Sequence, residues 1–264
     1  MAAESRGVQS VEIGGRLLEV LVEAAAPMML RDLAARADLA AGQAHVYLTS
    51  FKKLGLVEQE RGTGYYRIGP FAMRLAMARL HSDALLQRAT DAISELSTNL
   101  GVAVTLTVWG SGAPTVLLVR DGPEDINVNL RPGRVFGVTT TATGRLFAAF
   151  RNAKDVQTRI SYEIDSGPRT AEQKKTLRSD LKAAIATAKT YGYTVASGAP
   201  LPGINAVAVP VFDAGGEMQF ALTIVGRSTT LDVGPEAGPI KVLKARALAI
   251  AEATDDQRRK SVAS

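Results

Sequence analysis

A stretch of polar and basic side chains between residues 43 and 53 offers the clearest binding chemistry in this sequence. Glutamine can pair with adenine through two hydrogen bonds, hydroxyls reach bases or phosphates, and lysine neutralises phosphate charge. Arg61, Tyr65 and Arg67 follow closely and suit contacts with phosphate or the minor groove. These residue types favour double-stranded DNA as a partner, and a solvated helix face beside an exposed turn is the alternative interpretation. The candidate contacts in the stretch are Gln43, His45, Val46, Thr49, Ser50, Lys52 and Lys53.

Two segments of the C-terminal half could supply polar groups to a small-molecule pocket. Residues 139–145 precede a predicted helix, where hydroxyls and exposed amides can hold an anion or simply cap the helix. Residues 201–206 form a loop that enters a predicted strand, where backbone donors can face a ligand. The only tryptophan ends another strand and could form a wall of the pocket or part of the core. The candidate effector contacts are Trp109, Thr140, Thr141, Ala142, Thr143, Gly144, Asn205 and Ala206.

Residues that enzymes use for acid–base and nucleophilic chemistry are sparse. The chain has no cysteine and two histidines, His45 and His81, neither of which lies in the larger C-terminal part. Motifs for a nucleophilic serine or for phosphate-binding loops do not occur. Asp121, Glu124 and Asp125 cluster in a predicted loop, where acidic residues are common. We therefore expect no enzyme activity, no cofactor and no metal.

Length and composition limit the organisation of the chain. Its 264 residues exceed one typical domain, so two unequal domains are expected. The formal net charge of +5 mildly favours an anionic partner such as DNA. The first ten residues lack the apolar run of a signal peptide, and no stretch approaches the roughly 20 apolar residues that span a bilayer. These features predict a cytoplasmic protein without a membrane partner.

Hydrophobic periodicity predicts three helices and a hairpin at the N-terminus. The helices are expected over residues 11–26, 30–37 and 43–54. Pro27 ends the first helix, and Gly55 suits the left-handed conformation that follows the third. Two strand-like segments then flank a glycine-rich turn. This order is typical of a winged helix-turn-helix, whose third helix enters the major groove of DNA.

The rest of the chain predicts a linker helix and an α+β domain. Short turns between successive strands imply a mainly antiparallel sheet with helices packed on it. We expect the winged domain over residues 1–69, the linker over 70–81, the larger domain over 82–255 and a flexible tail over 256–264. The expected helices cover residues 85–100, 142–150, 156–162, 171–191 and 235–253, and the expected strands 102–109, 115–120, 126–130, 193–197, 205–211 and 218–226.

Five sequence motifs in order resemble the IclR family of transcriptional regulators, and the resemblance covers nearly the whole chain. The first is the N-terminal Val-Gln-Ser-Val-Glu before an apolar helix, and the second and third flank the wing. The fourth is Arg-Pro-Gly followed by Thr-Ala-Thr-Gly-Arg-Leu-Phe-Ala, and the fifth leads into the closing glycine hairpin. The motifs occupy residues 8–12, 54–58, 66–69, 131–148 and 192–216.

The resemblance implies a winged helix-turn-helix joined by a linker helix to a GAF-like effector-binding domain. It also implies homodimers or dimers of dimers, and an effector that is a small organic acid or an aromatic metabolite. The charge near the third helix is modest, so DNA affinity should come from a dimer on two half-sites of a palindromic operator. Two departures from the family pattern occur in the third helix, where Gly42-Gln43 replaces the usual Ser-Thr pair and Val46 replaces a common arginine.

Two other functions remain open from the residues alone. The chain could be a small-molecule sensor or scaffold whose winged module binds protein rather than DNA. An enzyme in the C-terminal domain would need a carboxylate pair that the sequence does not reveal.

Overall fold

A computed structural model describes residues 7–110, 112–124, 126, 128–151 and 154–262 of the chain, with side chains up to residue 254. The chain divides into two compact units, Met1–Asp83 and Ala84–Ser264. Asp125, one of the acidic residues named above, lies outside the described residues.

The first unit contains four helices and a small sheet among its described residues. Strands β1 and β2 form an antiparallel hairpin, and Met28 adds a backbone bridge to Tyr66 beside it. The third helix begins two residues earlier than the periodicity predicts, and Gly55 ends it with φ +73°. The elements are α1 Gln9–Ala24, α2 Leu30–Arg36, α3 Ala41–Leu54, β1 Val57–Gln59, β2 Tyr66–Ile68 and α4 Phe71–Ser82.

The core of the first unit fixes α3 against α1 and the wing. Leu17 of α1 and Leu48 of α3 are completely buried. Gly14 allows the two helices to approach closely, since a Cβ there would lie 2.9 Å from the Phe51 ring. The apolar side of α3 is thereby held inward, and its polar side is left on the surface.

The second unit is an α+β fold, as the sequence predicts. Its elements are α5 Ala84–Leu100, β3 Ala103–Gly110, β4 Ala113–Arg120, α6 Ala142–Phe150, α7 Lys154–Asp165, α8 Ala171–Tyr191, β5 Thr194–Ser197, β6 Ile204–Phe212, β7 Met218–Arg227 and α9 Gly238–Val262. Strands β3 to β7 form one antiparallel sheet in the order β4-β3-β7-β6-β5. Helices α6 and α8 pack on one face of it, and α5 and α9 pack on the other.

Two local expectations differ from the structure. Residues 126 and 128–130 do not form the predicted strand, because the Val128 and Leu130 amides donate to carbonyls only two residues back. Backbone hydrogen bonds from residues 133–136 occupy the neighbouring edge of β4 instead. Helix α9 continues to Val262, so residues 256–262, for which a flexible tail is expected, are helical.

Candidate functional site

A cavity of about 480 Å³, including its mouth, lies between the sheet and the N-terminal end of α6. Strands β5, β6 and β7 form its floor, and residues 128–136 and 199–201 form its sides. No charged side chain is among the residues that line it. They are Val128, Leu130, Phe136, Thr141, Ala142, Thr143, Ala196, Ala199, Pro200, Leu201, Ile204, Ala206, Thr223 and Val225.

The polar groups at this cavity cluster on the first turn of α6. Thr141 is the N-cap, and its hydroxyl accepts a hydrogen bond from the Gly144 amide at 2.9 Å. The amides of Ala142 and Thr143 have no partner among the described residues, as is usual for the first positions of a helix. Such amides favour an acceptor, especially an anion, through their N–H groups and the helix dipole.

The same end of α6 is fixed to the sheet by side-chain hydrogen bonds. The hydroxyls of Thr143 and Thr223 lie 2.8 Å apart and are buried. The Thr194 hydroxyl of β5 donates to the Ala142 carbonyl at 2.7 Å. Gly144 packs so tightly that a Cβ there would lie 2.1 Å from the Gly137 carbonyl oxygen. The first turn of α6 therefore has one well-defined position over the sheet.

Glu163 of α7 holds the segment that leads into α6. Its carboxylate accepts from the Val138 amide at 2.9 Å, and from the amide and hydroxyl of Thr139 at 3.0 Å each. Arg159, one turn earlier on α7, donates to the same carboxylate at 2.9 Å. Only 12% of the Glu163 side chain is exposed, so these contacts form in a largely desolvated place.

An open polar groove adjoins the segment on its outer side. Thr139, Thr140 and Glu163 line it together with residues of α7 and α8. Arg145 donates to the Thr139 carbonyl nearby. Burial lowers the pKa of the Arg145 guanidinium, and the carboxylate of Asp180 opposes this shift. Arginine nevertheless keeps its charge at neutral pH.

The structure brings half of the predicted effector contacts together at the cavity. Thr141, Ala142, Thr143 and Ala206 line it. Thr140 lies in the polar groove instead.

The remaining three predicted contacts lie elsewhere. Gly144 packs on the backbone of residues 137–138. Asn205 points away from the cavity and donates to the Leu231 carbonyl, because neighbouring strand residues alternate between faces. Trp109 packs on Phe147 with ring centroids 5.6 Å apart, and the Arg151 guanidinium lies over its ring.

Sequence reasoning missed the cavity residues that come from distant segments. Thr223 and Val225 follow the period-2 alternation of β7, which indicates a shared face but not what that face contacts. Leu201 and Ile204 belong to the predicted ligand-facing loop at residues 201–206, but only Asn205 and Ala206 of that loop are among the predicted contacts. The residues missed are Val128, Leu130, Phe136, Ala196, Ala199, Pro200, Leu201, Ile204, Thr223 and Val225.

All the residues proposed for DNA contact lie on the surface of the first unit. On α3, Val46 is 65% exposed although it is apolar. The hydroxyls of Thr49 and Ser50 donate to carbonyls one turn back, so each keeps only its acceptor positions for a partner. The exposed set is Gln43, His45, Val46, Thr49, Ser50, Lys52, Lys53, Arg61, Tyr65 and Arg67.

The basic side chains of this surface differ in their own contacts. The Lys52 ammonium donates to the Gln59 side chain at 2.8 Å, and Arg67 forms an ion pair with Glu58 at 2.6 Å. Lys53 and Arg61 have no ion-pair partner among the described residues. They are therefore the cations most readily available to phosphate on this surface.

Helix α4 exposes an apolar surface within the first unit. None of its residues is buried, and Met73 is 73% exposed. Leu75 and Met77 are also at least 45% exposed. Met73 and Met77 lie one turn apart on the same side of the helix, and Leu75 lies on the other side.

No group of three or more His, Cys, Asp or Glu side chains in the described residues is placed to hold a metal ion. In the acidic loop, the Asp121 carbonyl accepts from Ser97 and the Glu124 carboxylate from Thr230. None of the helices in the described ranges is both long and apolar enough to cross a membrane.

The chain thus consists of a winged helix-turn-helix unit, the kind of module that binds DNA, followed by an α+β unit that contains an apolar cavity. Residues 10–61 match the family model described as the IclR helix-turn-helix domain. Residues 77–252 match the model described as the bacterial transcriptional regulator IclR C-terminal. The chain belongs to the IclR family of transcriptional regulators.

Individual relatives are distant in sequence and similar in fold. The HTH-type transcriptional regulator BhcR of Paracoccus denitrificans is 23% identical over 225 residues, which cover 85% of this chain and 80% of that protein. An IclR family transcriptional regulator from Brucella abortus has 18% identity and a TM-score of 0.76, covering 94% of this chain and 93% of that chain. An IclR homolog from Microbacterium hydrocarbonoxydans, solved with 4-hydroxybenzoate, has 21% identity and a TM-score of 0.71, covering 92% and 98%.

Proposed function

We propose that this chain binds double-stranded DNA through α3 and the wing, and that an aromatic acid in the cavity changes that binding. The observation that carries the proposal is the cavity itself. Its wall is apolar except at three threonines, Thr141, Thr143 and Thr223, two of which lie at the start of α6. An apolar ring suits such a wall, and a carboxylate suits the unpartnered amides of Ala142 and Thr143.

The chemistry of one fold relative supports this ligand class. The Microbacterium hydrocarbonoxydans homolog is complexed with 4-hydroxybenzoate, which joins an aromatic ring to a carboxylate. No cation lines the cavity of the present chain, so the carboxylate would depend on amide and hydroxyl donors. We therefore favour monocarboxylates with a single ring over polyanions, which would need arginine or lysine.

On the DNA side, the exposed face of α3 would enter the major groove. Gln43, His45 and Val46 occupy its first two turns, where recognition helices contact base edges. Thr49, Ser50, Lys52 and Lys53 would follow along the groove wall. Arg61, Tyr65 and Arg67 on the wing would contact the backbone or the minor groove beside it.

We further propose that the active species is a homodimer or a dimer of dimers. The exposed Met73 and Met77, one turn apart on the same side of α4, would be covered by a second copy. Two winged units would then engage two half-sites of a palindromic operator. This fits the modest local charge, since the carboxylates of Glu58 and Glu60 offset part of the charge of the four cations Lys52, Lys53, Arg61 and Arg67.

A fluorescence anisotropy titration with duplex DNA from upstream of the coding sequence tests the DNA-binding proposal. Affinity should fall steeply as salt rises, with a log–log slope of about −0.9 per phosphate neutralised. Lys53→Ala should weaken binding about threefold to tenfold and reduce the slope by about one per protomer. Lys182→Ala, an equal charge change on the exposed side of α8, is the matched control and should do neither. Binding that ignores salt, or an equal effect of both variants, would contradict the proposal.

Calorimetric titration with benzoate, 4-hydroxybenzoate, phenol and butyrate tests the ligand class. We expect the two aromatic acids to bind at least tenfold more tightly than phenol, which lacks the carboxylate, and butyrate, which lacks the ring. The acid that binds should also change the affinity for DNA, because regulation requires coupled binding. Equal binding of all four compounds, or of none, would overturn the proposed class.

A further inference from the structure

Two threonine hydroxyls lie inside the second unit without a hydrogen-bond partner. Thr105 and Thr107 of β3 are completely buried. Neither Oγ1 atom has a partner among the residues that the structure describes. An unpartnered buried hydroxyl destabilises a folded protein, and native structures retain few of them. The surroundings of each hydroxyl therefore bear on what it could do.

Thr105 has another threonine as its neighbour on β7. Thr105 is directly opposite Thr223 in the β3–β7 register. Directly opposite residues of an antiparallel pair share a face, with Cβ atoms about 4.5–5.5 Å apart. Thr223 in turn lies 2.8 Å from the Thr143 hydroxyl, and both of these residues line the cavity. Thr105 thus stands one step behind a buried hydroxyl pair whose two residues line the cavity.

Thr107 has a different neighbour. It is opposite Ala221 on β7 and Val116 on β4, neither of which carries a hydroxyl. Thr105 and Thr107 are therefore alike in residue type, strand, face and burial, and differ in their access to the cavity hydroxyls.

We propose that Thr105, Thr223 and Thr143 form a hydroxyl relay that recognises a carboxylate in the cavity, with Thr105 as a positioning residue. This inference rests on the proposed function, because it needs an acid at the start of α6. In the structure, Thr143 and Thr223 share one hydrogen bond. When a carboxylate binds, Thr143 donates to it, Thr223 donates to Thr143, and Thr105 turns to donate to Thr223. Each hydroxyl keeps its own proton: Thr143 and Thr223 change the direction in which they donate, and the Thr105 side chain rotates to reach Thr223.

The relay accounts for both the unpartnered hydroxyl and the choice of ligand. A carboxylate only accepts hydrogen bonds, so it aligns all three hydroxyls in one direction. Hydrogen bonds in such a chain polarise and strengthen one another. Thr223 becomes a stronger acceptor once it donates to Thr143, so pairing by Thr105 is favoured in the acid complex and adds to the driving force for binding.

Valine, which has the shape of threonine without the hydroxyl, gives the decisive comparison in the full-length chain. Thr105→Val and Thr107→Val should each raise the Tm of the ligand-free protein by about 2–4 °C, because each removes one unpartnered hydroxyl. Thr105→Val should weaken the binding of benzoate or 4-hydroxybenzoate, whichever binds the wild type, by about threefold to tenfold. Thr107→Val should leave that affinity within about twofold. Thr105→Ser should bind the acid with wild-type affinity, since serine keeps the hydroxyl that valine lacks.

Each result of these titrations supports or overturns the relay. Equal affinities for the acid in Thr105→Val and Thr107→Val would overturn it and leave the proposed ligand class standing. A lower Tm for Thr105→Val would show that its hydroxyl already has a partner, and would also overturn it. If the wild type binds neither acid, the proposed function fails first and the relay fails with it.

Discussion

Replacing Glu163 by alanine should loosen the N-terminal end of α6, because this carboxylate holds the segment that leads into the helix. The change leaves the Val138 and Thr139 amides and the Thr139 hydroxyl without their acceptor. Hydrogen bonds to a charged group contribute about 1.5–3 kcal/mol each where they are desolvated. Removal of the Glu163 side chain would let water from the adjoining groove reach Thr139, which is buried in the intact protein, so we expect a total loss of about 2–4 kcal/mol rather than the sum. For a unit of this size the loss corresponds to a Tm lower by about 5–15 °C.

Trp109 provides a direct measurement of this loss. It is the only tryptophan of the chain and packs on Phe147 of α6, so its fluorescence reports on unfolding of the second unit. Urea titrations of the variants then give the free energy of unfolding of that unit. Arg159→Ala is the matched control, because it removes the ion pair with Glu163 and leaves the amide contacts in place. The Arg159 side chain is 30% exposed, and Glu163 keeps its three other donors without it, so the loss should cost about 1 kcal/mol, less than that of Glu163→Ala.

Ligand affinity gives an independent check on the same variant. The held segment continues into Thr141, Ala142 and Thr143 at the cavity. Glu163→Ala should therefore weaken benzoate binding as well as stability, whereas Arg159→Ala should change neither by much. Equal losses of stability in the two variants would show that the ion pair, and not the backbone contact, is the stabilising feature. A loss below about 0.5 kcal/mol for Glu163→Ala would refute the reasoning outright.

Three further substitutions test separate features of the molecule. Gly144→Ala should destabilise the second unit by about 3 kcal/mol or more, because the new Cβ would lie 2.1 Å from the Gly137 carbonyl oxygen. Gly238→Ala is the control and should not destabilise the unit, because its Cβ would meet no atom within 4 Å. Equal urea midpoints for the two variants would contradict this prediction. Ala206→Met should fill the cavity and abolish calorimetric binding of benzoate while leaving DNA binding unchanged, and retained binding would place the ligand elsewhere. Glu58→Gln should raise DNA affinity about threefold at low salt, because it removes a carboxylate and releases Arg67, and the gain should vanish at high salt. An equal gain at every salt concentration would mean that charge is not its cause.

The first unit could be predicted from the sequence because its signals are local. Leu17 and Leu21 recur at helical spacing and are buried as that spacing indicates. The sequence predicts a helix end at Gly55 because glycine adopts a positive φ at little cost, and Gly55 has φ +73° there. The periodicity predicts the start of α3 two residues late because Ala40, its N-cap, has no capping side chain to mark it.

The cavity could be predicted only in part because strand register is not a local property. Thr141, Ala142 and Thr143 lie beside a helix start that their own sequence indicates, and all three line the cavity. Thr223 joins them through its register with β6 and its contact with α6, which no nearby residue encodes. Ala206 and Asn205 are adjacent, but strand alternation sends them to opposite faces, and a one-residue error of parity exchanges them.

The first turn of α6 is the point where the ligand proposal and the stability of the second unit meet. Glu163 of α7 holds its approach, Thr194 of β5 bonds to its first carbonyl, and Thr223 of β7 bonds to Thr143. An acid bound at the amides of this turn would contact the one end of α6 on which all three elements converge. A change there would be transmitted by discrete hydrogen bonds rather than by diffuse packing. Variants that break one of these hydrogen bonds should therefore change both the ligand affinity and the stability of the second unit. Substitutions in the aromatic cluster around Trp109, at the other end of α6, should change the stability alone.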